Sequence, residues 1–401
     1  MPRRHVILSL LVTLSMLTFL DRLCISVAGP RMQAELNIPP EQWGWVLSAF
    51  VLSYGLFEIP TGIMGDRSGQ RPVLTRIVLW WSGFTALTGT MQSFLPLAIT
   101  RFLFGAGEAG AYPNMSGVVR RWFPVDERAR AQGYIWGASR FGGALAPLLV
   151  VPLQRAYGWR ASFYIFGAVG VLWCAAWWFY YRDEGAPFPP QPHTAPAGQM
   201  FAKPQLWLIL CMYGSYAWGS WFFFAWLPTF LVKGRGFTES EMAIASSIPF
   251  LLGTASNIAG GYISDASIRL WGLKNGRRRV GVSALTVSAA ALLAAAFTTD
   301  RIATVALLAA SFAIMDLMLP SAWAICLDIG GSHSGAVTGA MNTAGQLGGF
   351  LCTLVFGYVV KYFDSYNAPL VGIAAMLTLA AVLFSRIDST QPLFNDQPNS
   401  R

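Results

Sequence analysis

The sequence predicts an all-α membrane protein whose twelve transmembrane helices form two halves of six. Three observations lead to this prediction. Hydrophobic residues make up 54 % of the 401 residues. Charged residues make up 12 %, about half of their usual share in a soluble domain. Stretches of about 20 apolar residues, the length that crosses a bilayer, recur along the chain on both sides of one wide gap.

Twelve apolar stretches of this length can be placed in order along the chain. Their approximate limits are 5–29, 43–64, 73–92, 95–118, 131–153, 161–181, 205–231, 240–263, 279–298, 302–325, 334–360 and 366–385. No small-residue cleavage site follows the first stretch, so we expect it to remain as a span. Residues 182–204 carry six Pro residues and no apolar period, which predicts a cytoplasmic linker between an N-terminal bundle, 1–181, and a C-terminal bundle, 205–401.

The charges and cysteines exclude several classes of protein. The net charge of +9 is spread over islands between apolar runs, whereas nucleic-acid binders gather Lys and Arg in continuous patches. The five Cys residues are scattered singly, so neither a zinc site nor a disulfide framework is indicated. Most Lys and Arg residues fall in loops that would lie in the cytoplasm if both termini are cytoplasmic, and this distribution predicts that orientation.

Three basic residues, Arg22, Arg101 and Arg140, fall inside predicted spans. An ionisable residue within a span is costly, so it is usually paired or lines a cavity. Glu108 lies seven residues after Arg101, so the two side chains share a helix face. Arg22, which follows Asp21, lies at a depth similar to that of Arg101. Two guanidiniums at one level can bind carboxylate oxygens bidentately, which indicates a buried organic anion as their ligand.

A short motif after the second span is repeated in the second half of the chain. Gly62-x-x-x-Asp66-Arg67-x-Gly69-x-Arg71 ends that span, and Gly261-Tyr-Ile-Ser-Asp265 ends the eighth span 199 residues later. Such a repeat, coinciding with a six-plus-six division, is typical of transporters built from two similar halves. A simple charged turn is the alternative interpretation of the motif.

These features resemble the major facilitator superfamily, and within it the anion:cation symporter family. The resemblance covers about residues 15 to 385 and rests on the first-span Asp21-Arg22 pair, on the second-span segment and on the Arg101 to Glu108 segment. Further matches are Arg121-Trp-Phe-Pro124-x-x-Glu127-Arg128, Gly158-Trp159-Arg160, Trp323, Asp328 and Gly335-x-x-x-Gly339-x-Met341-Asn342-x-x-Gly345-Gln346-x-Gly348-Gly349. The family includes bacterial galactonate, glucarate and hexuronate transporters and the relatives of sialin and the vesicular glutamate transporters.

The resemblance implies a role for each matching residue. Arg22 and Arg101 would hold the substrate carboxylate, and Asp21 and Glu108 would take part in proton coupling. Polar or stacking contacts would come from Tyr54, Trp323, Asn342 and Gln346. The motif residues Gly62, Asp66, Arg67, Arg71 and Asp265 would gate the conformational switch. Purely structural roles remain open: ion pairs for the charged residues, helix packing for Tyr54, and inter-helix contacts for Trp323 and Asn342.

Two charged residues depart from the pattern expected of sugar-acid transporters. Arg140 lies about 14 Å into the fifth span, and Asp316 lies in the tenth span without a partner that the pattern would supply. Arg140 could be a third cationic contact, which would favour a dicarboxylate or another multiply anionic substrate. It could equally form a salt bridge with Glu58 or Asp316.

The sequence therefore predicts a secondary active transporter that imports an organic anion, such as an aldonate, hexuronate or aldarate, by proton symport through alternating access. An organic-anion exchanger or uniporter is the alternative, and a receptor without transport a remote one. The three His residues lie in a terminus, the linker and a loop, and no nucleophile or metal motif is present, so an enzyme is not expected. We expect no cofactor or metal, a monomer and, because the first connector is short, a bacterial inner membrane.

Overall fold

The computed structural model describes residues 3–123, 125–183, 200–330 and 334–393. The described residues contain thirteen long helices and no strand. In chain order the helices are α1 (Arg3–Glu35), α2 (Pro40–Ser68), α3 (Gln70–Thr88), α4 (Phe94–Glu108), α5 (Ala111–Trp122), α6 (Val125–Tyr157), α7 (Trp159–Tyr180), α8 (Pro204–Ala225), α9 (Glu239–Phe297), α10 (Arg301–Asp316), α11 (Leu319–Gly330), α12 (Ser334–Phe363) and α13 (Ala368–Arg386). Between α8 and α9 the chain makes a short helical turn and a π-helical turn, Phe230–Gly234.

The helices differ from the predicted spans in four places. The seventh predicted span is interrupted at Trp226, between α8 and the short helical turn that follows it. The fourth predicted span breaks at Gly110, whose φ of 85° few side chains adopt, and a Cβ there would lie 2.5 Å from Thr61 Cβ. The tenth breaks after Asp316. The eighth and ninth join in α9, where Gly272 alone is non-helical. By length and composition, seven described segments are able to cross a membrane, and α9 alone is long enough for two crossings.

The described residues divide into two compact units. The first unit comprises those within Met1–Pro189, Phe224–Leu251 and Thr353–Asp364, and the second comprises those within Pro190–Phe223, Leu252–Cys352 and Ser365–Arg401. In the first unit α1 packs on α6 and α7, α2 packs on α4, and α3 packs on α7. The predicted division into residues 1–181 and 205–401 stays a prediction.

Glycines permit the closest helix contacts within each unit. In the first unit a Cβ at Gly142 of α6 would lie 2.3 Å from the carbonyl oxygen of Met16 in α1. In the second unit a Cβ at Gly348 of α12 would lie 2.0 Å from the carbonyl oxygen of Gly214 in α8. Neither position admits a side chain, because backbone atoms occupy the space.

The first copy of the repeated motif forms the tight turn between α2 and α3. Gly69 has a φ of 87°, and the carboxylate of Asp183 accepts hydrogen bonds from the backbone N–H groups of Gln70 (3.0 Å) and Arg71 (3.1 Å) at the start of α3. The Arg71 guanidinium lies 4.1 Å from the Trp178 ring centroid. Gly62 packs against Pro113. The side chains of Asp66 and Arg67 lie outside the described residues.

Ion pairs connect helices of the first half of the chain to segments of the second half within the first unit. Glu239 accepts hydrogen bonds from Nε and Nη2 of Arg31, the latter at 2.7 Å, and it lies 3.5 Å from Arg155 Nε. Lys361 Nζ donates to Glu41 Oε1 at 2.7 Å. Two carboxylates, those of Glu239 and Glu41, thus pair with three basic residues in this unit.

Reversing the charge at residue 31 tests the pair between α1 and α9. In Arg31→Glu, two carboxylates would face each other at residues 31 and 239, and we expect a melting temperature lower by about 2–4 °C. The double variant Arg31→Glu/Glu239→Arg should recover most of that loss in thermal unfolding monitored by Trp fluorescence. An equal loss in the single and double variants would show that the two side chains are not coupled.

The second unit has its own charged cluster beyond the end of α13. Lys274 Nζ donates to Asp388 Oδ2, and Gln205 Nε2 donates to the Asp388 carbonyl at 2.9 Å. Burial alone would raise the pKa of Asp388, but the hydrogen bonds from Lys274 and Thr390 lower it to about 2. Nearby, Arg277 Nε donates to Asp328 Oδ2 at 2.7 Å. Asp265, from the second copy of the motif, is exposed.

Asp388→Asn should destabilise the second unit only where Asp388 is ionised. Because its folded pKa lies below its ordinary value, the carboxylate stabilises the fold above about pH 4 and loses this effect as the pH falls towards 2. We expect the melting temperature of the variant to be about 2–4 °C lower at pH 7, and the difference to narrow between pH 5 and pH 3. A difference independent of pH would mean that the carboxylate charge is not the stabilising feature.

Candidate functional site

A buried ion pair joins the middle of α1 to the end of α4 in the first unit. Arg22 Nε donates a hydrogen bond to Glu108 Oε1. The Glu108 side chain is fully buried, and the Arg22 side chain is 14 % exposed. Glu108 is the last residue of α4, two residues before the break at Gly110. The glycine break thus fixes the carboxylate at a helix end, opposite a guanidinium from a continuous helix.

Two further charges complete the cluster around this pair. Arg101 lies two turns before Glu108 in α4 and is 2 % exposed, and Asp21 is 3 % exposed. The charges of Asp21 and Glu108 both act on the Arg101 guanidinium. With both carboxyl groups ionised, these four residues sum to zero charge. Buried charges are tolerated when they compensate one another in this way.

Some polar atoms of this cluster have hydrogen-bonding capacity left. Within the described residues no hydrogen bond reaches Nη2 of Arg22, Nε of Arg101 or Oε2 of Glu108, although all three atoms are buried. A buried guanidinium or carboxylate atom without a partner is unfavourable by about 1–3 kcal/mol or more. The arrangement is therefore suited to receive a polar ligand or a proton.

Aromatic rings surround the Arg22 guanidinium. Its Cζ atom lies 4.4 Å from the ring centroid of Tyr54, 5.2 Å from Phe19 and 5.3 Å from Phe50. Phe50 also lies 5.2 Å from Arg101 Cζ, so the two guanidiniums approach the same ring. Ring faces attract cations, most strongly where water is excluded. The rings therefore hold Arg22 in position without using its hydrogen-bond donors.

Tyr54 offers a direct test of this cation–π contact. Tyr54→Phe keeps the ring face over Arg22, so we expect a melting temperature within about 1 °C of the wild type. Tyr54→Leu removes the face, which contributes about 1–2 kcal/mol at a desolvated site, so the melting temperature should fall by several degrees. The comparison uses thermal unfolding in detergent. If Tyr54→Phe and Tyr54→Leu lowered the melting temperature equally, the stabilisation would come from the hydroxyl group and not from the ring face.

Arg140 lies on the same aromatic surface, on α6. Its Cζ atom lies 5.3 Å from the Phe224 ring centroid. The Phe224 ring contacts the Phe19 ring at 5.8 Å between centroids. Because Phe19 also contacts Arg22, a continuous pair of rings extends from one arginine to the other within the first unit.

The predicted site residues of the second half lie in the second unit. Trp323 on α11 and Asn342 and Gln346 on α12 are all half-buried, and Asn342 and Gln346, four residues apart, share a helix face. Asp316, the last residue of α10, is fully buried and accepts a hydrogen bond of 3.0 Å from the Tyr216 hydroxyl. The structure thus gives Asp316 a hydrogen-bond donor that the sequence pattern did not reveal.

Apart from Tyr54, the aromatic residues around the arginines were not predicted as part of the site. Phe19 lies three residues before Arg22, so it shares the Arg22 face of α1, and this spacing could have indicated it. Tyr112, whose ring stacks on Trp136 at 4.6 Å, lies 6.0 Å from Arg22 Cζ. Nothing in the sequence places Phe224, about 200 residues away, against Phe19.

Comparison with known protein families gives one match over most of the chain. The sequence matches the family model described as the Major Facilitator Superfamily over residues 11–353. A probable sulfoacetate transporter of Cupriavidus necator is 32 % identical over 94 % of this chain and 92 % of its own. The hexuronate transporter of Bacillus subtilis is 26 % identical over 92 % of each chain. A probable galactarate/D-glucarate transporter of Escherichia coli is 27 % identical over 95 % of this chain and 94 % of its own.

Solved structures with a similar fold are also known. A bacterial homologue of the human lysosomal transporter Spinster, in an inward-facing and unoccupied conformation, superimposes with a TM-score of 0.84. The match covers 97 % of this chain and 98 % of that chain at 18 % sequence identity. At that identity the similarity concerns the fold alone.

Proposed function

This chain belongs to the major facilitator superfamily of membrane transporters, and from that premise we propose that it imports a small organic anion together with a proton by alternating access. The family and the all-helical fold predicted from the sequence are confirmed, and the protein is a transporter rather than an enzyme. Relatives whose names refer to sulfoacetate, hexuronate and galactarate or glucarate transport support an anionic substrate.

The observation that carries this proposal is the buried pair of Arg22 and Glu108. The Arg22 side chain is 14 % exposed, whereas Arg101 is only 2 % exposed. An anion reaching Arg22 would meet a guanidinium whose Nη2 donor is not used by any described residue. Arg101, which contacts the same Phe50 ring, would add a second positive charge to the site.

A proton changes the charge balance of the cluster. When Glu108 or Asp21 binds a proton, the four residues carry a net charge of +1 in place of zero. Protonation of Glu108 also weakens its bond with Arg22 and leaves the guanidinium available to the substrate. The anion then restores neutrality, which lowers the free-energy cost of closing the site around the substrate. Substrate alone or proton alone leaves a net charge, and this difference couples the two movements.

The remaining parts of the proposal follow the family resemblance. Trp323, Asn342 and Gln346 would contribute stacking and hydrogen bonds to the substrate. The motif residues Gly62, Asp66, Arg67, Arg71 and Asp265 would control the switch between conformations. We place both termini in the cytoplasm of a bacterial cell, with the chain in the inner membrane as a monomer.

Proton movement in proteoliposomes tests the proposed function. Aldonates, hexuronates, aldarates, sulfonates and small dicarboxylates are added one at a time to vesicles that contain the wild-type protein, and the external pH is recorded. Symport predicts external alkalinisation with the transported anion. Uptake without a pH change would instead indicate a uniporter or an exchanger. Absence of uptake for the whole panel would contradict the proposal.

Glu108→Gln separates coupling from binding. Gln is neutral like the protonated carboxyl group, so we expect the variant to lose accumulation driven by a pH gradient and to retain exchange of labelled anion at equal concentrations. The measurements are gradient-driven uptake and counterflow of the anion identified above.

Glu41→Gln is the matched control, because Glu41 is paired with Lys361 away from the cluster. This variant should accumulate substrate like the wild type. Accumulation that survives in Glu108→Gln would remove Glu108 from the coupling role.

A further inference from the structure

We propose that an outer gate closes the anion site towards the non-cytoplasmic face of the membrane, and that its opening admits the substrate. The gate has two parts. The first, the charge clasp, consists of Arg31, Arg155 and Glu239. The second, the glycine seam, is the contact between α2 and α12 at Gly44 and Gly357. The proposal rests on the proposed function and orientation, and it concerns residues outside the anion site and the repeated motif.

The parts of the gate lie at corresponding ends of their helices. Arg31 and Arg155 lie near the ends of α1 and α6, and Glu239 is the first residue of α9. Gly44 lies near the start of α2, and Gly357 lies near the end of α12. Arg31 is about 42 Å along α1 from the start of that helix. With the N-terminus in the cytoplasm, these helix ends face the non-cytoplasmic side.

The division of the chain into units follows the same contacts. The segments Phe224–Leu251 and Thr353–Asp364 come from the second half of the sequence, yet they belong to the first unit together with the first half. They contain the start of α9 and the end of α12, whereas the remainder of both helices belongs to the second unit. A closed gate requires this grouping of helix ends with the opposite half of the chain.

The charge clasp joins three helices through one carboxylate. Glu239 accepts hydrogen bonds from Nε and Nη2 of Arg31, the latter at 2.7 Å, and its Oε2 atom lies 3.5 Å from Arg155 Nε. The start of α9 therefore cannot move away from α1 and α6 without separating these charges. The three side chains are 20–48 % exposed, so water can replace the partners when the gate opens.

Further hydrogen bonds join the two halves of the chain along α1. Lys233 Nζ donates to Gln33 Oε1 at 3.1 Å, and the Ser26 hydroxyl donates to the Phe224 carbonyl at 2.7 Å. Ser26 lies four residues after Arg22, so these bonds extend from the end of α1 to about one turn from the anion site. The gate thus covers the part of α1 that lies between the anion site and the non-cytoplasmic end.

The glycine seam brings two backbones into direct contact. A Cβ at Gly357 would lie 2.3 Å from the Pro40 carbonyl oxygen, and a Cβ at Gly44 would lie 2.9 Å from the Thr353 carbonyl oxygen. The hydroxyl groups of Ser48 and Thr353, both fully buried, form a hydrogen bond of 2.7 Å beside this contact. Because backbone atoms occupy the space, a side chain at either glycine would hold α2 and α12 apart.

The burial of α1 increases towards the gate. Among residues 3–13 of this helix only Ile7 and Leu11 are buried. From residue 17 to residue 30 every residue except Arg22 is buried. The helix is therefore packed on all sides at the end that the gate covers.

One face of α6 shows the same gradient. Trp136 is exposed and Arg140 is half-buried. Ala144, Pro147 and Val151 continue that face towards the end of the helix, and all three are buried. Both helices are thus packed more closely near the gate than near their starts, as expected for a site that is closed on the non-cytoplasmic side.

A reporter cysteine tests the gate without knowledge of the substrate. In Ser26→Cys the thiol replaces a hydroxyl group of a residue that is 2 % exposed. A membrane-impermeant maleimide is added to intact cells, and the labelling rate is measured against the same chain without the reporter, since five Cys residues are native. We expect slow labelling when the reporter is the only substitution.

Weakening either part of the gate should speed the labelling. Glu239→Gln removes the charge that both arginines share, so we expect a rate about two- to tenfold higher. Gly357→Ala places a Cβ against the Pro40 carbonyl and should raise the rate at least as much. The pair Arg31→Glu/Glu239→Arg restores opposite charges and should recover part of the protection.

Glu35→Gln is the matched control. Glu35 also lies at the end of α1 and is paired with an arginine, but this arginine is Arg160 of α7, within the first half of the chain. Its loss removes one ion pair and no contact between the halves, so the labelling rate should stay within about twofold of the reporter chain. Thermal unfolding of each variant checks that it is folded.

Three results would overturn the proposal. Rapid labelling of the reporter chain would show that the non-cytoplasmic side is open. An unchanged rate in Glu239→Gln or in Gly357→Ala would overturn the part of the gate which that variant alters. An equal rise in Glu35→Gln would assign the effect to general loosening. Since no substrate is needed, absence of anion uptake would contradict the proposed function and leave the labelling result to decide the gate.

Discussion

The ion pair of Arg22 and Glu108 is the interaction on which the arrangement of the first unit depends. Glu108 is fully buried and Arg22 largely so, and in such surroundings a charge without a partner is far less stable than the pair. Three features of the first unit stabilise the pair in these surroundings. Arg101 and Asp21 bring the sum of charges to zero, aromatic rings surround Arg22, and the break at Gly110 fixes Glu108 at a helix end. Each of these features stabilises or positions the pair.

The position of Glu108 at the end of α4 is unfavourable for the helix itself. The last carbonyls of a helix carry a partial negative charge that disfavours a carboxylate there. The second half of the chain also has a buried acid at a helix end, since Asp316 is the last residue of α10 and is fully buried. Their partners differ, an arginine for Glu108 and a tyrosine hydroxyl for Asp316. Because an acid ends the corresponding helix in each half, its position is explained by the repeated architecture and not by helix stability.

The sequence predicts those parts of the molecule that follow from the spacing of apolar residues and from the free-energy cost of a charge inside a span. Apolar stretches predict the helices, and the high cost of charge in a span singles out Arg22, Arg101 and Glu108, which the structure brings together. Breaks such as Gly110 are harder to predict, because glycine is common throughout this chain, and the positive φ of Gly110 and its close contact with Thr61 are visible only in the structure. The Phe19 and Phe224 contact depends on tertiary packing between distant segments. A single sequence carries no signal for such a pair among 27 Phe residues.

The charges of the first unit fall into two classes that differ in how easily they separate. At Arg31, Glu239 and Lys361 the side chains are 20–59 % exposed, so water can replace the partner and each pair contributes little to stability. Glu108 is fully buried, and separating it from Arg22 without a proton would leave an uncompensated charge, at about 3–5 kcal/mol. A transporter must release contacts in every cycle. The exposed pairs can open by hydration alone, whereas the buried pair opens at low cost only when a proton or an anion replaces the lost partner. That difference makes the buried pair, and not the exposed ones, the place where ligand binding can control the conformation.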